Sequence, residues 1–222
     1  MNTHHREKYQ TMQSFRAEFG VGFTLAHTGK MTGFQSLSTS PLHNTFCQAR
    51  ARCKNTICSH CYSIAMQKQY ENLSKMLEKN LEVLTTELIP VEKWPIVNAL
   101  MFRLESFGDA MNGVQVRNYF NFCRRNPRVQ FTVWTKNLIL YKEVLETESK
   151  PENLIIISSS PVVNRSLDPF KVYPFVDKVF TVYTKEFAAL HGIKINCGAR
   201  SCAACQLCYS KNDVRFVNEL LK

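Results

Sequence analysis

The chain has 222 residues, a length that suits one sizeable hydrophobic core better than two domains. Its 45% hydrophobic and 21% charged residues are ordinary for a globular protein, and no segment approaches the ~18–20 consecutive apolar residues of a membrane span. The 28 Lys and Arg residues against 18 Asp and Glu residues give a net charge of +10, which favours a polyanionic partner or substrate such as nucleic acid, a nucleotide or another phosphate.

The first part of the chain predicts a flexible tail followed by one strand and one long helix. Residues 1–20 are polar and lack the apolar core of a signal peptide, so we expect a cytoplasmic protein without membrane contact. Gly33–Ser40 reads as a strand that leads into a cysteine-rich loop at 47–61. Apolar residues at helical spacing predict a helix over Tyr62–Leu88, which ends before Pro90.

The remainder alternates strands and helices. We predict strands over Val97–Leu104, Val129–Trp134, Leu154–Ile157, Lys178–Tyr183 and Ile193–Ile195. We predict helices over Val116–Cys123, Leu138–Glu146, Lys185–Leu190 and Asp213–Leu221.

This alternation of apolar strands with helices indicates an α/β fold with a parallel sheet covered by helices. We expect a partial TIM-like barrel of five to six parallel strands, because a complete eight-unit barrel needs about 250 residues. An open doubly wound sheet is the alternative, but no glycine-rich dinucleotide fingerprint follows the first strand. The expected division is the tail at 1–20, the barrel with its cysteine loop at 21–196, and a cysteine segment with a helix at 197–222.

All but one of the nine cysteines fall into two short segments. The first cysteine group contains Cys47, Cys53, Cys58 and Cys61, and the second cysteine group contains Cys197, Cys202, Cys205 and Cys208. Cysteines separated by two or four residues are typical metal ligands, because a tight turn directs both sulfurs to one side. Reduced cytoplasmic thiols favour metal binding over disulfides. The remaining Cys123 lies in an apolar helix and is expected to be a buried core thiol.

Several metal sites are compatible with these spacings. In the first cysteine group, Cys58 and Cys61 combine with either Cys47 or Cys53, and His43 or His60 could complete a zinc site. Three cysteines on a 4Fe–4S cluster would leave one iron open for a small molecule. The second cysteine group has four thiols and can close a site unaided, around zinc or a further 4Fe–4S cluster. A cluster that shares ligands from both groups is a further alternative.

Polar residues follow several predicted strands. Phe131–Lys136 and Phe180–Lys185 are nearly the same hexapeptide, and each is a strand followed by Thr-Lys. The carboxyl ends of parallel strands are where such folds bind ligands. We therefore expect Thr135, Lys136, Thr184 and Lys185 to bind an anionic substrate group.

The chain resembles the radical S-adenosylmethionine (SAM) superfamily, and more closely the gene-product-88-like proteins of phages and mobile elements. The resemblance spans roughly residues 35 to 210. The stretches that carry it are Phe46–Arg50, Thr56–Tyr62, Phe102–Asp109, Asn126–Pro127, Trp134–Lys136 and Cys197–Cys208.

The resemblance implies a partial βα barrel with a 4Fe–4S cluster on Cys47, Cys58 and Cys61. It implies that SAM binds the open iron and is cleaved to methionine and a 5′-deoxyadenosyl radical. The residues implied to contact the SAM amino group are Glu105, Ser106, Gly108 and Asp109.

Together these observations predict an iron–sulfur protein of the cytoplasm, which is the host cytoplasm if a phage encodes it. A second metal site, most simply another 4Fe–4S cluster with zinc as the alternative, is expected on Cys197, Cys202, Cys205 and Cys208. The alternative is that the protein is not a catalyst. Its zinc or iron–sulfur sites would then hold the two ends of the chain together, and its basic surface would bind nucleic acid or a host protein. The substrate and the oligomeric state are left open.

Overall fold

The computed structural model describes residues 10–221 and contains one seven-stranded sheet. Its strands are β1 (Thr24–Leu25), β2 (Gln35–Leu37), β3 (Met101–Leu104), β4 (Gln130–Thr135), β5 (Leu154–Ser159), β6 (Lys178–Tyr183) and β7 (Phe216–Leu220). Its α-helices are α1 (Met12–Phe19), α2 (Thr45–Ala51), α3 (Tyr62–Gln69), α4 (Glu71–Thr86), α5 (Gly113–Arg125), α6 (Leu138–Leu145), α7 (Lys185–Leu190) and α8 (Cys202–Cys205). Short 3₁₀ turns cover Gly29–Met31, Ile57–His60 and Val91–Lys93.

The strands lie side by side in the order in which they occur along the chain. Strand β1 is antiparallel to β2, and every later pair is parallel, as in the registers Phe102↔Phe131 and Phe131↔Leu154. Crossovers between parallel strands are right-handed, so an unbroken sequential order places the connecting helices on the same face. The predicted α/β class with a mostly parallel sheet is confirmed.

Side chains alternate between the two faces of these strands. Phe102, Phe131 and Ile156 point to the helical face and belong to the main hydrophobic core, which also contains buried residues of α4, α5 and α6. The Phe122 ring from α5 lies 5.2 Å from the Phe102 ring and 5.0 Å from the Phe131 ring, centroid to centroid. Aromatic packing of this kind secures the helical face of the sheet. The opposite face is therefore free to carry other side chains.

Two of the predicted helices are wrong in extent or type. The helix predicted over Tyr62–Leu88 is divided at Tyr70, whose extended backbone (φ −118°, ψ 99°) separates α3 from α4. The segment Asp213–Leu221 was expected to be helical, but Phe216–Leu220 forms β7 and pairs with β6. Pairing with β6 satisfies the backbone groups of that strand's edge and buries Val217 completely, which local helical preference could not achieve.

The strand predicted over Ile193–Ile195 is also wrong. These residues form a loop, and the adjacent Asn196 and Cys197 donate their backbone N–H groups to the Asn218 carbonyl of β7. The flexible segment predicted at 1–20 lies outside the described residues as far as residue 9. Its later part forms α1, which begins after the Thr11 cap and buries Phe15.

Within residues 10–221, none of the helices combines the length and the apolar composition needed to cross a membrane.

Asn80 on α4 connects three segments that surround the site. Its side-chain carbonyl accepts a hydrogen bond from the Gly22 N–H (2.7 Å), and its amide donates to the carbonyls of Gly22 (2.8 Å) and Ser38 (2.8 Å). The side chain is fully buried, so water cannot replace these bonds. Asn80 therefore fixes the end of β2 and the loop before β1 against α4.

We expect Asn80→Ala to lower the free energy of unfolding by about 2–3 kcal/mol, because it leaves buried backbone groups without partners. The exposed Asn72 on the same helix is the matched control, and Asn72→Ala should change stability by less than about 0.5 kcal/mol. Urea unfolding followed by circular dichroism measures both. Equal effects of the two substitutions would contradict this role of Asn80.

Candidate functional site

A cavity of about 560 Å³ lies on the face of the sheet opposite the helical core. The strands contribute Arg103, Trp134, Phe180 and Glu219 to its wall, together with residues just beyond the carboxyl ends of β3 and β4. Parallel strands present loops and backbone groups at this end of the sheet, where α/β proteins bind ligands. Both cysteine groups also line this central cavity.

Three cysteines of the first group reach the central cavity, and Cys53 does not. Cys47 lies in the first turn of α2, where its N–H donates to the Asn44 side chain (3.1 Å). Cys58 lies in the 3₁₀ turn at Ile57–His60, and Cys61 immediately precedes α3. These three line the cavity, whereas Cys53 is exposed outside it. The structure brings Cys47, and not Cys53, to the cavity with Cys58 and Cys61, and the metal ligand itself stays a prediction.

The surroundings of the first cysteine group are electrically mixed. Burial raises the pKa of the Cys47 thiol, and the charges of Asp109 and Glu105 raise it further. Burial also raises the pKa of Cys58, while the Lys136 ammonium opposes that shift. Without a bound metal these two thiols are therefore protonated, and metal binding would have to release their protons.

The second cysteine group enters the cavity from the segment between α7 and β7. Cys197, Cys202 and Cys208 line the cavity, and Cys205 at the end of α8 is exposed. Burial raises the pKa of Cys197 to about 11 and that of Cys208 to about 12.

Nearby charges act on these thiols in both directions. The Glu219 carboxylate raises the pKa of Cys197 further, Lys30 opposes that rise, and Lys178 opposes the rise for Cys208. Burial also raises the pKa of Cys202, against the charges of Lys30 and Arg103.

No preassembled site for a single metal ion is found in the part of the chain that the structure describes. Among residues 10–221, no group of three or more Cys, His, Asp or Glu side chains is arranged to hold a metal ion. His43 does not line the cavity; its ring lies 3.1 Å from the Ser40 hydroxyl. His60 does line the cavity. Metal binding to either cysteine group stays a prediction.

The loop after β3 is held rigidly by its own carboxylates. Glu105 has a positive φ of 57°, and its buried carboxylate accepts hydrogen bonds from the Thr39 hydroxyl (2.8 Å), the Gln115 amide (2.8 Å) and the Tyr119 hydroxyl. Gly108 has a φ of 85°, and a Cβ there would lie 2.7 Å from the Thr39 carbonyl oxygen. Only glycine fits this close approach of the two backbones.

Asp109 connects the end of β3 with the end of β4. Its Oδ1 accepts hydrogen bonds from the Thr135 hydroxyl (2.7 Å) and the Ala110 N–H (2.8 Å), and its Oδ2 accepts one from the Lys136 N–H (2.8 Å). The Thr135 side chain therefore binds Asp109 directly. Ser106 and Gly108 line the cavity beside the two carboxylates, so the four residues expected to contact SAM lie together.

The two Thr-Lys pairs do not occupy equivalent positions. Phe131 packs in the helical core, so Trp134 and Lys136 face the cavity, whereas Phe180 itself faces the cavity. The second hexapeptide is thus shifted by one residue, and such a shift sends every side chain to the other face.

Thr184 and Lys185 follow the end of β6 and lie outside the cavity. The Thr184 side chain caps α7 by accepting a hydrogen bond from the Phe187 N–H (3.3 Å), and Lys185 is exposed. Their expected contact with substrate stays a prediction, but the structure does not bring them to Lys136.

Sequence analysis gave no role to three cavity residues, Arg103, Trp134 and Tyr209. The Arg103 guanidinium lies 4.3 Å from the centre of the Trp134 ring, and the Tyr209 ring lies 5.5 Å from that ring. The charged Arg103 interrupts an otherwise apolar strand between the buried Phe102 and Leu104. That interruption is the one sequence feature that could have identified this wall of the cavity.

The buried Glu105 should make the stability of the protein depend on pH. Burial raises the pKa of Glu105 to about 8, against about 4.3 in an unfolded chain, despite hydrogen bonds from Tyr119 and Thr39. Between these values the folded chain holds a proton that the unfolded chain has released, so the free energy of unfolding falls as the pH rises.

We therefore expect the melting temperature of the metal-free protein to fall from pH 5 to pH 8, and Glu105→Gln to flatten this slope. The exposed Glu152 supplies the control, since Glu152→Gln should keep the slope of the unaltered chain. Scanning calorimetry across this range measures the effect. A slope that Glu105→Gln leaves unchanged would show that Glu105 does not cause it.

Comparisons with known proteins agree with the resemblance seen in the sequence. Residues 4–211 match the family described as gene product 88. Neither the curated proteins nor the solved structures give a significant match. The matched range contains both cysteine groups, the loop after β3 and the strand ends that line the cavity. The chain belongs to the gene product 88 family, the phage and mobile-element family expected from its sequence.

Proposed function

We propose that the protein is an iron–sulfur protein that binds a 4Fe–4S cluster through Cys47, Cys58 and Cys61 and binds SAM beside it. One observation carries the proposal: these three cysteines, and not Cys53, line the cavity at the carboxyl ends of the parallel strands. A partial barrel is the form of sheet that would suit this function, and the sequential strand order supports it.

The donor set fits an iron–sulfur cluster better than a single zinc ion. Each cysteine of a cluster binds a different iron, so its sulfurs lie farther apart than four sulfurs around one tetrahedral ion. Cys47, Cys58 and Cys61 share one cavity, and three thiols would leave one iron of such a cluster open for a small molecule. Thiolate ligation also suits iron, since Cys58 lies beside the positive charge of Lys136, which favours its deprotonated form.

The loop after β3 has the chemistry needed to hold the amino group of SAM. Glu105 and Asp109 bring two carboxyl groups close to Cys47, and an ammonium group in the cavity would favour their charged forms. Because both side chains already accept hydrogen bonds from the chain, their main contribution is charge and a fixed loop rather than free acceptor atoms. Ser106 and Gly108 would then meet the ligand from that fixed loop.

The Lys136 ammonium is the cavity cation best placed for an anionic group near the first cysteine group. Its side chain makes no hydrogen bond or ion pair with the described residues, while its N–H is held by Asp109. When bound, a cluster with one iron free of cysteine supplies the electron for reductive cleavage of SAM. Lys136 and the buried carboxylates would orient the molecules around it and limit the access of water.

We propose a second metal site on Cys197, Cys202, Cys205 and Cys208, with 4Fe–4S as the first choice and zinc as the alternative. The other thiols of the group add to the raised pKa values of Cys197 and Cys208, which supports a shared site. Because both cysteine groups line one cavity, a cluster with ligands from both groups is also consistent with the fold. Cytoplasmic location in the host belongs to the same proposal, as does an anionic small molecule as the substrate.

The ligand assignment predicts a pattern of iron loss. Cys47→Ala, Cys58→Ala and Cys61→Ala should each remove about four iron atoms per chain from anaerobically reconstituted protein, because each breaks the same cluster. Cys53→Ala is the matched control and should keep the full iron content. Iron and sulfide analysis with visible absorption spectra measures the result. Iron loss in Cys53→Ala but not in Cys47→Ala would replace Cys47 by Cys53 in the assignment.

The use of SAM is tested separately. Fully loaded protein mixed with SAM and dithionite should release 5′-deoxyadenosine, and the Cys58→Ala variant should release none. Chromatography of the quenched reaction detects the product. Full iron content without 5′-deoxyadenosine would reject the SAM reaction and keep the cluster. Colourless, zinc-loaded protein that binds nucleic acid in a salt-dependent way would instead favour the non-catalytic alternative.

A further inference from the structure

Arg103 is a cation on the wall of the central cavity without a negative partner. Its side chain forms no ion pair with a carboxylate of the residues that the structure describes; its neighbours are the Trp134 ring and the Tyr209 hydroxyl, which helps to raise the pKa of Arg103. Its Nε is buried and has no hydrogen-bond partner. Unpaired buried donors are costly, so a group of this kind points to a ligand that completes it.

Other partly buried cations of this chain do find carboxylate partners. Arg117 and Arg124 both bind Glu148, at 2.9 Å and 3.1 Å. In the cavity itself, the Lys30 ammonium lies 3.1 Å from the Glu219 carboxylate. Arg103 has no such carboxylate partner among residues 10–221, although it shares the cavity wall with Lys30, which has one.

The aromatic neighbours of Arg103 hold its guanidinium in one orientation. One face of the guanidinium rests on Trp134, with 4.3 Å between the guanidinium carbon and the ring centre. The Tyr209 ring packs against Trp134 at 5.5 Å and against Phe34 at 4.5 Å. Stacking covers the face of a guanidinium and leaves its edge available, which is the edge that binds carboxylate and phosphate groups with two parallel hydrogen bonds.

We propose that Arg103 binds an oxyanion, either a carboxylate or a phosphate, of a small molecule that occupies the central cavity. The identification of that molecule as the substrate rests on the proposed function above. Arg103 thereby takes the place in anion binding that the sequence had suggested for Lys185.

The position of Arg103 along β3 separates it from the residues proposed to hold SAM. Arg103 pairs in register with Ser36 and Thr132, inside the sheet, whereas Glu105–Asp109 follows the end of the strand. A molecule bound at Arg103 therefore contacts the sheet face of the cavity, whereas the proposed SAM contacts lie beyond the end of β3.

Arg103 could alternatively serve as a counter-charge for metal-bound thiolates of the second cysteine group, since it opposes, after Lys30, the rise that burial causes in the pKa of Cys202. Lys30 also acts on Cys197, and Lys178 acts on Cys208. Neither lysine has the planar guanidinium of Arg103. The buried Nε of Arg103 has no hydrogen-bond partner, which favours a planar, bidentate ligand over a sulfur atom.

The test measures anion binding by the full-length protein, as purified and after reconstitution with iron. Inorganic phosphate and succinate are titrated while tryptophan fluorescence is followed, because Trp134 lies in the cavity and the other tryptophan, Trp94, is buried in the core. We expect at least one of the two anions to bind and Arg103→Met to weaken that binding at least tenfold. Comparison of the anions distinguishes a phosphate-bearing from a carboxylate-bearing ligand.

Arg215→Met is the matched control, because Arg215 also stacks on an aromatic ring, Phe170 at 3.5 Å, but lies outside the cavity. This variant should bind the anion as tightly as the unaltered chain. Arg103→Lys keeps the positive charge but not the planar guanidinium. Its affinity for the anion should therefore lie between that of Arg103→Met and that of the unaltered chain. The melting temperature without anion should stay equal or rise in Arg103→Met, since an unpaired cation is removed, and this verifies that the variant folds.

Three results would overturn the proposal. The first is that the Arg103→Met variant binds the anion as tightly as the unaltered chain, or that the unaltered chain binds neither phosphate nor succinate. The second is displacement of the anion by SAM, which would assign Arg103 to the cofactor. The third is loss of iron from the second cysteine group in Arg103→Met with unchanged anion affinity, which would make Arg103 a counter-charge. Anion binding by the iron-free protein does not depend on the cluster. A failure of the proposed cluster and SAM chemistry can therefore be distinguished from a failure of anion binding at Arg103.

Discussion

The two-residue alternation of side chains along the parallel strands is the constraint on which the rest of the structure depends. On one face, Phe102, Phe131 and Ile156 pack against helices and exclude water. On the other, Arg103 and Trp134 face a cavity that receives both cysteine groups. The same strands therefore supply a dry core and a polar binding wall, and the hydrogen bonds of Asp109 keep the ends of β3 and β4 in fixed relation.

The strands with continuous apolar runs could be predicted from the sequence, because a parallel sheet buries both faces of its central strands. Strands β3 to β6 all fall on predicted strands, and the grouping of the cysteines predicted that they would act together. The last strand, β7, could not be predicted in the same way. Phe216–Leu220 has no strong local preference, and its state is decided by the edge of β6, which is distant in sequence.

Which face of a strand points toward the cavity could not be predicted from the sequence either. Two hexapeptides that differ at one position direct opposite faces toward the cavity, because the contacts of Phe131 with α5 and of Tyr183 with α7 fix their registers separately. For this reason Lys136 lines the cavity and Lys185 does not. Which of Cys47 and Cys53 lines the cavity likewise depends on where α2 directs its first turn, which the spacing of the cysteines does not contain.

The charges around both cysteine groups are mixed, and this bears on what each can hold. Asp109 and Glu105 raise the pKa of Cys47, while Lys136 opposes the rise for Cys58. In the second group Glu219 raises the pKa of Cys197, while Lys30, Arg103 and Lys178 oppose the shifts. Lys178 is almost fully buried, and its ammonium donates only to neutral groups, the Asn212 side chain (2.6 Å) and the Val214 carbonyl (3.0 Å).

A cationic environment stabilises added negative charge, and four thiolates carry more of it than three. In the proposed function, the cations near the second group would offset part of the charge of four thiolates. At the first group, the carboxyl groups of Glu105 and Asp109 would attract a ligand that carries an ammonium group. The two parts of one cavity would then serve different tasks, because one would hold a closed metal site and the other would receive a ligand.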